Sequence, residues 1–600
     1  MKRTLPLLSL PMAFLLFSCV NKDYDLSDID STIGVNVNEL TVPLNLDDIT
    51  LEALLDLKDN NRIKTINGEY AIVDDGTFTS SPVHVSAIQT NEPSVSPIQD
   101  PVTTSVPATL PASGPVLSYP LTETPSHVNI HADEVDKAVV AITHIGTEKT
   151  VTRIELKFFD DNDQLKDVVK EFKVEGLKFQ YLKGLDATLD HPADTYDPET
   201  GIIAVNDRLT DQHRLTLTVT ITGIGEQSGM VFDADQRTFD LSQDCHALPG
   251  AHITAYRENL TDAFAAAYNP AQIPASIQYY CQPAIPAIVA NTFSGQVKYG
   301  IEGINIDPVD LSDIPDVLNQ TGTDIRLTNP QIYLQLNNPV SEFNLKANAN
   351  LQLTAHTGEQ QQSYTLDDAN GFDIDQPDNK LCLSPTDPGT YYKGTIDKDG
   401  KTEEVDFDKA RHETFTSLSN VLSGDRIPES LAIDVVNPQI PVQPVADFRL
   451  GEDISTVNGT YVFYAPLNLT EDAKIKYSDT FDGWNDEDVD AMEITQLFVN
   501  ANASSDVPMN LTFKIYPIDK EGKKMTDNGK EVVGTVTKTI TPKMDEPIEI
   551  IVEGNIRHLD GIILDADING REDGKPLQPD QSIQLKNVRI KLSGTYIKEL

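Results

Sequence analysis

Side-chain alternation constrains this chain more than any other feature. From Arg214 to Ile221, the residues Leu215, Leu217, Val219 and Ile221 alternate with arginine and threonine. Successive side chains of a strand point to opposite faces, so this period of two reads as a half-buried strand. The pattern recurs from Phe343 to Thr354, where Phe343, Leu345, Ala347, Ala349, Leu351 and Leu353 share a face. It recurs again at Ile154, Leu156 and Phe158, and at Leu511, Phe513 and Ile515. Between Ile583 and Leu592 the phase slips at Asn587, which predicts a β-bulge there. Turn signals lie between such runs: Asp160-Asp161-Asn162-Asp163, Asp399-Gly400, Glu521-Gly522, Asn528-Gly529 and Asn569-Gly570. One apolar face per strand, joined by polar turns, specifies antiparallel sheet packed on one side. The expected fold is all-β, with several antiparallel β-sandwich domains in tandem and a few short helices.

Three helices are expected. Leu46 to Leu57 places Leu46, Ile49, Ala53 and Leu57 on one face, Glu258 to Tyr268 is stopped by Asn269-Pro270, and Phe415 to Leu422 ends at Ser423-Gly424. Residues 81–126 carry nine prolines among many serines and threonines. Proline fixes φ and has no N–H to donate, so this stretch reads as an extended linker or edge segment. The resulting division is a signal segment 1–18, an acidic tether 19–45, a small segment with a short helix 46–80 and the Pro-rich linker 81–126. Sandwich domains are expected at 127–235, 293–445 and 446–600, with a helix-bearing linker at 236–292.

The N-terminus has the three parts of a secretory signal. Lys2 and Arg3 precede an apolar run from Leu5 to Phe17, and Ser18 precedes Cys19. The run is about 13 residues, too short for a membrane span of about 20. Leu16-Phe17-Ser18-Cys19 resembles the bacterial lipobox, which implies cleavage before Cys19 and lipid on its thiol and amino group. Phe17 is bulkier than that motif usually carries. Two or three acyl chains anchor a protein stably where one does not. The opening Lys22-Asp23-Tyr24-Asp25-Leu26-Ser27-Asp28-Ile29-Asp30 resembles that of uncharacterised surface-exposed lipoprotein families of Bacteroidetes. That resemblance implies an outer-membrane address on the outward face. Asp30-Ser31-Thr32 resembles the O-glycosylation sequon of that phylum, with Ser31 as acceptor. Leu327-Thr328-Asn329-Pro330 and Asn337-Asn338-Pro339 also resemble water-stress and late-embryogenesis sandwich domains, over too short a stretch to imply function.

Composition then excludes partners. The net charge of −47, from 93 acidic against 46 basic residues, disfavours nucleic acid, whose phosphates demand cations. It suits a soluble extracellular protein. Beyond Cys19 only Cys245, Cys281 and Cys382 remain, too few for a disulfide framework. Cys245 with Cys281 is the candidate pair, since export permits disulfides.

Calcium is the one specific cofactor the residues suggest. Asp565, Asp567 and Asn569 before Gly570, with Asp573 at the ninth position, resemble the start of an EF-hand loop. Pro576 stands where its bidentate glutamate belongs. Hydrolase, zinc and phosphate-cradling motifs are missing, and His127 and His131 lack the glutamate of a zinc-protease helix. Trp484, the only tryptophan, sits in an acidic segment and is the candidate glycan-contacting ring; Tyr279-Tyr280 and Tyr391-Tyr392 each place one ring on either face of a strand. The expectation is a membrane-anchored, non-enzymatic module that binds glycan or an envelope protein, or builds an envelope assembly. The alternative is a secreted glycoside hydrolase or other hydrolase on a β-scaffold.

Overall fold

The computed structural model describes residues 32–44, 49–54, 57, 62–398, 401–424, 426–485 and 487–599. Cys19, Ser31 and the Asp399-Gly400 turn lie outside them. The strands that organise the fold are β1 (Thr32–Leu44), β2 (Val139–Phe159), β3 (Arg214–Gly225), β4 (Val289–Gly300), β5 (Ala347–Thr357), β6 (Ser430–Arg449), β7 (Met492–Ser505), β8 (Asp545–Arg557) and β9 (Ser582–Glu599). Together with shorter strands they make an all-β, predominantly antiparallel molecule; Asn379–Ser384 and Arg411–Thr414 pair in parallel. Among the described residues no helix is long and apolar enough to cross a membrane.

One sheet runs through the N-terminal two-thirds of the fold in the order Leu185–Leu189, β3, β2, β4, β6, β5, Gln360–Thr365. The alternating apolar residues predicted for β2, β3 and β5 are buried: Ile154, Leu156, Leu217, Val219, Leu351 and Leu353 all lie in the core. At β2 the sheet changes partners. Its first half pairs with β4, and its second half pairs with Ser276–Ala284. Across the core from β2, the Thr152 hydroxyl meets the fully buried Tyr181 hydroxyl at 3.0 Å. A buried hydroxyl needs such a partner.

Pairing therefore crosses the boundaries expected from sequence. The break set at 292/293 falls inside β4, and that at 445/446 falls inside β6. Nearly half of segment 236–292 is sheet, with strands at Thr238–Ala247, His252–Ala255 and Ser276–Ala284. Its period of two is carried by residues easily passed over: Phe239, Leu241, Cys245 and Ala247 are buried, and so are Ile277, Tyr279 and Cys281. The Pro-rich 81–126 contributes edges. Ser94–Val95 and Leu117–Pro120 each end a sheet, and Ile98–Thr103 borders Ser276–Ala284. Proline is tolerated at an edge because no ladder donor is needed on the open side.

The expected tether 19–45 is a strand over nearly half its length, Thr32–Leu44. β1 pairs antiparallel with β9, with a register shift between Val37 and Leu40. It is the edge of a C-terminal sheet ordered β1, β9, β7, β8, Gly534–Val536, Asn510–Ile518, Gly561–Asn569, Lys474–Phe481. The bulge expected at Asn587 is present. Asn500 faces Arg589 while Asn502 faces Lys586, and Asn587 has φ of +55°.

Helices are shorter than expected. Within 46–57 the described part is a two-residue strand, Ile49–Thr50, and one turn, Leu51–Leu54. The 258–268 segment splits into a 3₁₀ turn at Arg257–Asn259 and a helix at Asp262–Ala266, capped by Thr261. Phe415 to Leu422 forms a 3₁₀ turn, Thr416–Asn420. Phe343 closes the turn Ser341–Phe343 instead of opening β5.

Candidate functional site

The loops at one end of the C-terminal sheet enclose a cleft of about 660 Å³. Three connections build it. The chain leaving Asn510–Ile518 turns at Asp519–Lys523, where the Asp519 carboxylate accepts the backbone N–H groups of Glu521 and Lys523. Gly522 takes φ of +72°, as the turn requires. β8 ends at Arg557 and turns through His558 to Gly561–Asn569. The third connection, Asp482 to Asp490, leads into β7.

Asp560 holds the third connection to the second. Its carboxylate accepts from the N–H groups of Gly483 (3.3 Å) and Asn485 (3.0 Å), and its carbonyl accepts from that of Trp484 (2.7 Å). Asn485 donates to the Leu559 carbonyl and to Asp490. His558 Nδ1 lies 2.9 Å from Asp490, which is held below the usual aspartate pKa by that contact first and by Asn485 second. Hydrogen bonds to an anion stabilise it in just this way.

Lysine and arginine supply the cleft's donors. Arg557 is tied to Glu493, and Lys524 lies over the Tyr516 ring at 3.5 Å while reaching Asp565. Lys520 and Lys523 are exposed. The only apolar lining residue is Met525, which is buried. Hydroxyl, amide, ammonium and carboxylate groups thus alternate round an open, polar hollow. Such a lining suits a ligand rich in hydroxyl groups, whereas protein interfaces centre on an apolar patch.

Trp484 does not line this cleft. Its ring is half-buried and packs against the apolar core. Tyr279 and Tyr280 divide as the period of Ser276–Ala284 requires, the first buried and the second half-exposed; Tyr391 and Tyr392 precede the strand Lys393–Lys398 and do not lie in it, with Tyr392 buried and Tyr391 half-exposed.

The EF-hand reading of Asp565, Asp567, Asn569 and Asp573 is corrected by the structure. The first three lie in the strand Gly561–Asn569 and not in a loop, and the carboxylates of Asp565 and Asp567 are occupied by cations. Asp567 meets Lys476 and Lys514, and Asp565 accepts from Ser478 and Lys524. The hydrogen bond from Lys476, with help from Lys514, holds Asp567 below the usual carboxylate range against the effect of burial. Asp573 pairs with Arg571 and Lys575. Among the described residues no cluster of three or more His, Cys, Asp or Glu side chains is arranged to hold a metal.

Cys245 and Cys281 are neighbours but separate thiols, a second correction. Both are fully buried, on strands of different sheets. Burial pushes the Cys281 thiol up to about 12, and that of Cys245 rises as well, through burial first and Cys281 second. They pack as small hydrophobes.

His127 and His131 stand on one face of Ser126–Ala132, opposite Asp244 and Asp240 in the ladder. Each histidine contacts the aspartate across from it, and His131 Nε2 also reaches Asp133 at 2.9 Å. These are cross-strand pairs. The carboxyls lifted above their usual range, Asp74 and Glu69, share one strand, and Asp74 is bound by Arg62 at 2.5 Å. That is a structural ion pair, tying 62–79 to Asp310 through the same guanidinium.

No protein-family model and no curated protein matches this chain. Among solved structures, a crystal structure from Parabacteroides distasonis ATCC 8503, of a protein provisionally described as secreted, is similar over 50% of this chain and 89% of that one. The identity is 14% and the TM-score 0.34, a likeness too slight to carry an argument about site or function.

Proposed function

We propose that the protein is a lipid-anchored module of the outer membrane, facing outward, that binds a saccharide in the cleft formed by Asp490, Asp519–Thr526 and Arg557–His558. The observation that carries this reading is the cleft itself: polar except for Met525, open, and built on loops pinned by Asp560 and Asp519. Binding loops gathered at one end of a sandwich are held by a rigid scaffold, which lowers the ordering cost of recognition. The lipid anchor rests on the lipobox-like Leu16-Phe17-Ser18-Cys19. A non-enzymatic role is supported by the ion pair that Asp74, one of the two raised carboxyls, makes with Arg62.

Titration calorimetry of the full chain against a panel of polysaccharides, with product analysis, tests the reading. Retention of one polysaccharide without cleavage is expected, and Lys520→Glu with Lys523→Glu should weaken it at least tenfold. Released oligosaccharide would favour the hydrolase reading instead. An affinity unmoved by the double substitution would remove the cleft from the account.

A further inference from the structure

The chain enters and leaves the C-terminal sheet at the end that carries the cleft. Thr32, the first residue of β1, is paired with Glu599 near the end of β9. Tyr596 of β9 is in turn beside Met492, at the start of β7, and Glu493 is beside Arg557, at the end of β8. The same edge is continued by Ile518 against Gly561 and by Phe481 against Ile562. Thr32, Glu599, Arg557, Ile518 and Phe481 therefore share one end of the sheet.

The other end carries the rest of the molecule. β1 runs to Leu44, opposite Val588, and Ile49 follows opposite Ile583. The chain returns at Lys474, which faces Asn569 and bridges to Asp324. Leu469 bridges to Leu327 and Asn468 to Pro576, and Tyr70 N–H donates to the Leu577 carbonyl. The sheet spanned by the 14 residues of β7 is about 45 Å long at about 3.3 Å per residue. The cleft is thus a free tip, a strand's length from where the other sheets attach.

We infer that this tip faces the membrane that holds Cys19, and that the cleft takes a saccharide linked to that membrane. The inference rests on the lipid-anchor and saccharide-binding readings above and adds direction and source to them. Covalent geometry sets the scale. Thirteen residue steps separate Cys19 from Thr32. They reach at most about 47 Å however they run. The lipid is therefore tied to the cleft end of the sheet, within about 47 Å of Thr32, and on this inference the sheets built from residues 62–466 project outward. A saccharide on the headgroup of a neighbouring lipid lies within this zone. Two-point attachment, by acyl chain and by cleft, would hold the protein more tightly than either contact alone.

The test uses the full-length lipidated protein in phosphatidylethanolamine vesicles. Cys245, Cys281 and Cys382 are buried and Cys19 is acylated, so one introduced cysteine takes a dye selectively. Asp482→Cys marks the tip outside the cleft lining, and Val231→Cys marks an exposed position in the first sandwich. Energy transfer to acceptor-labelled headgroups should be several-fold higher from position 482; equal or reversed transfer overturns the orientation. In the second arm, the soluble Cys19→Ser form is added to phosphatidylethanolamine vesicles with or without lipopolysaccharide. At least tenfold tighter binding to the glycolipid vesicles is expected, weakened by Lys520→Glu with Lys523→Glu. No preference, or binding of free polysaccharide alone, overturns the membrane-linked source. Failure of the anchor reading is distinct, since the Cys19→Ser form would then fractionate with membranes as the parent does.

Discussion

Single side chains in this protein act mainly by satisfying backbone groups, and Asp160 shows it best. Its carboxylate accepts the N–H groups of Asn162 (2.9 Å), Gln164 (3.0 Å) and Leu165 (2.6 Å). Burial alone would raise its pKa, but these three donors outweigh it and hold the group below the usual aspartate range. Asp160→Ala should cost about 1–2 kcal/mol, as loss of a cap does, read as a lower urea midpoint at unchanged slope. The sign of the pH effect follows from linkage. With the folded pKa depressed, the contribution is complete above the unfolded value near 3.9 and is lost as pH falls through the folded value. The Asp160→Ala penalty should therefore shrink in acid. The Asp-Asp-Asn-Asp string announced a turn at this place, because short acidic side chains bond locally. The partners of Asp565 and Asp567 were illegible for the opposite reason: Lys476 and Lys514 come from other strands and Lys524 from a connection, up to 91 residues away. An alternating Asp-x-Asp-x-Asn in a strand and in a calcium loop are the same letters.

Elements were legible where apolar residues alternate without a break, and the bulge in β9 is the most specific case. The phase slip from Leu585 to Val588 has one cheap solution: a residue in the left-handed region that lets two positions face one. Asn587 supplies it at φ +55° with its side chain in solvent. Asparagine tolerates that conformation and β-branched residues do not. Asn587→Val should destabilise the protein by about 1–2 kcal/mol, while Asn587→Gly should be neutral within about 0.5 kcal/mol. Thermal melts of the two variants separate backbone strain from packing, because the exposed side chain makes no core contact to lose. Elements were illegible where the buried face uses tyrosine, cysteine or proline, as in Ser276–Ala284, or where prolines suggested a linker and the chain used them on edges. Short helices failed because their apolar residues also fit a turn laid on a sheet, which is how Leu418 and Phe415 are buried.

At the scale of the molecule, the division into beads on a string gives way to a shared sheet, and the reason lies in strand length. β2 has 21 residues and β6 has 20, far longer than the usual strand of about 5–6, so each serves two packing environments. Sequence periodicity reports a strand's face but not its partners, and partners decide where one domain ends. β4 is the junction, bonded to β2 on one side and to β6 on the other. Phe293 sits at its centre, fully buried, edge-on to Phe448 at 5.7 Å between ring centroids. Phe293→Ala removes a core aromatic and should cost about 3–5 kcal/mol. If the sheet through β2, β4 and β6 makes the first two sandwiches one cooperative unit, calorimetry of the parent gives a single transition for residues 62–466. Phe293→Ala should lower that transition as a whole. The C-terminal sheet, bonded to this body through the short contacts at Asp324, Leu327 and Asn468, should melt separately and move less. Separate melting of segments 62–288 and 289–466 in the variant would show that the long strands join two domains without coupling them.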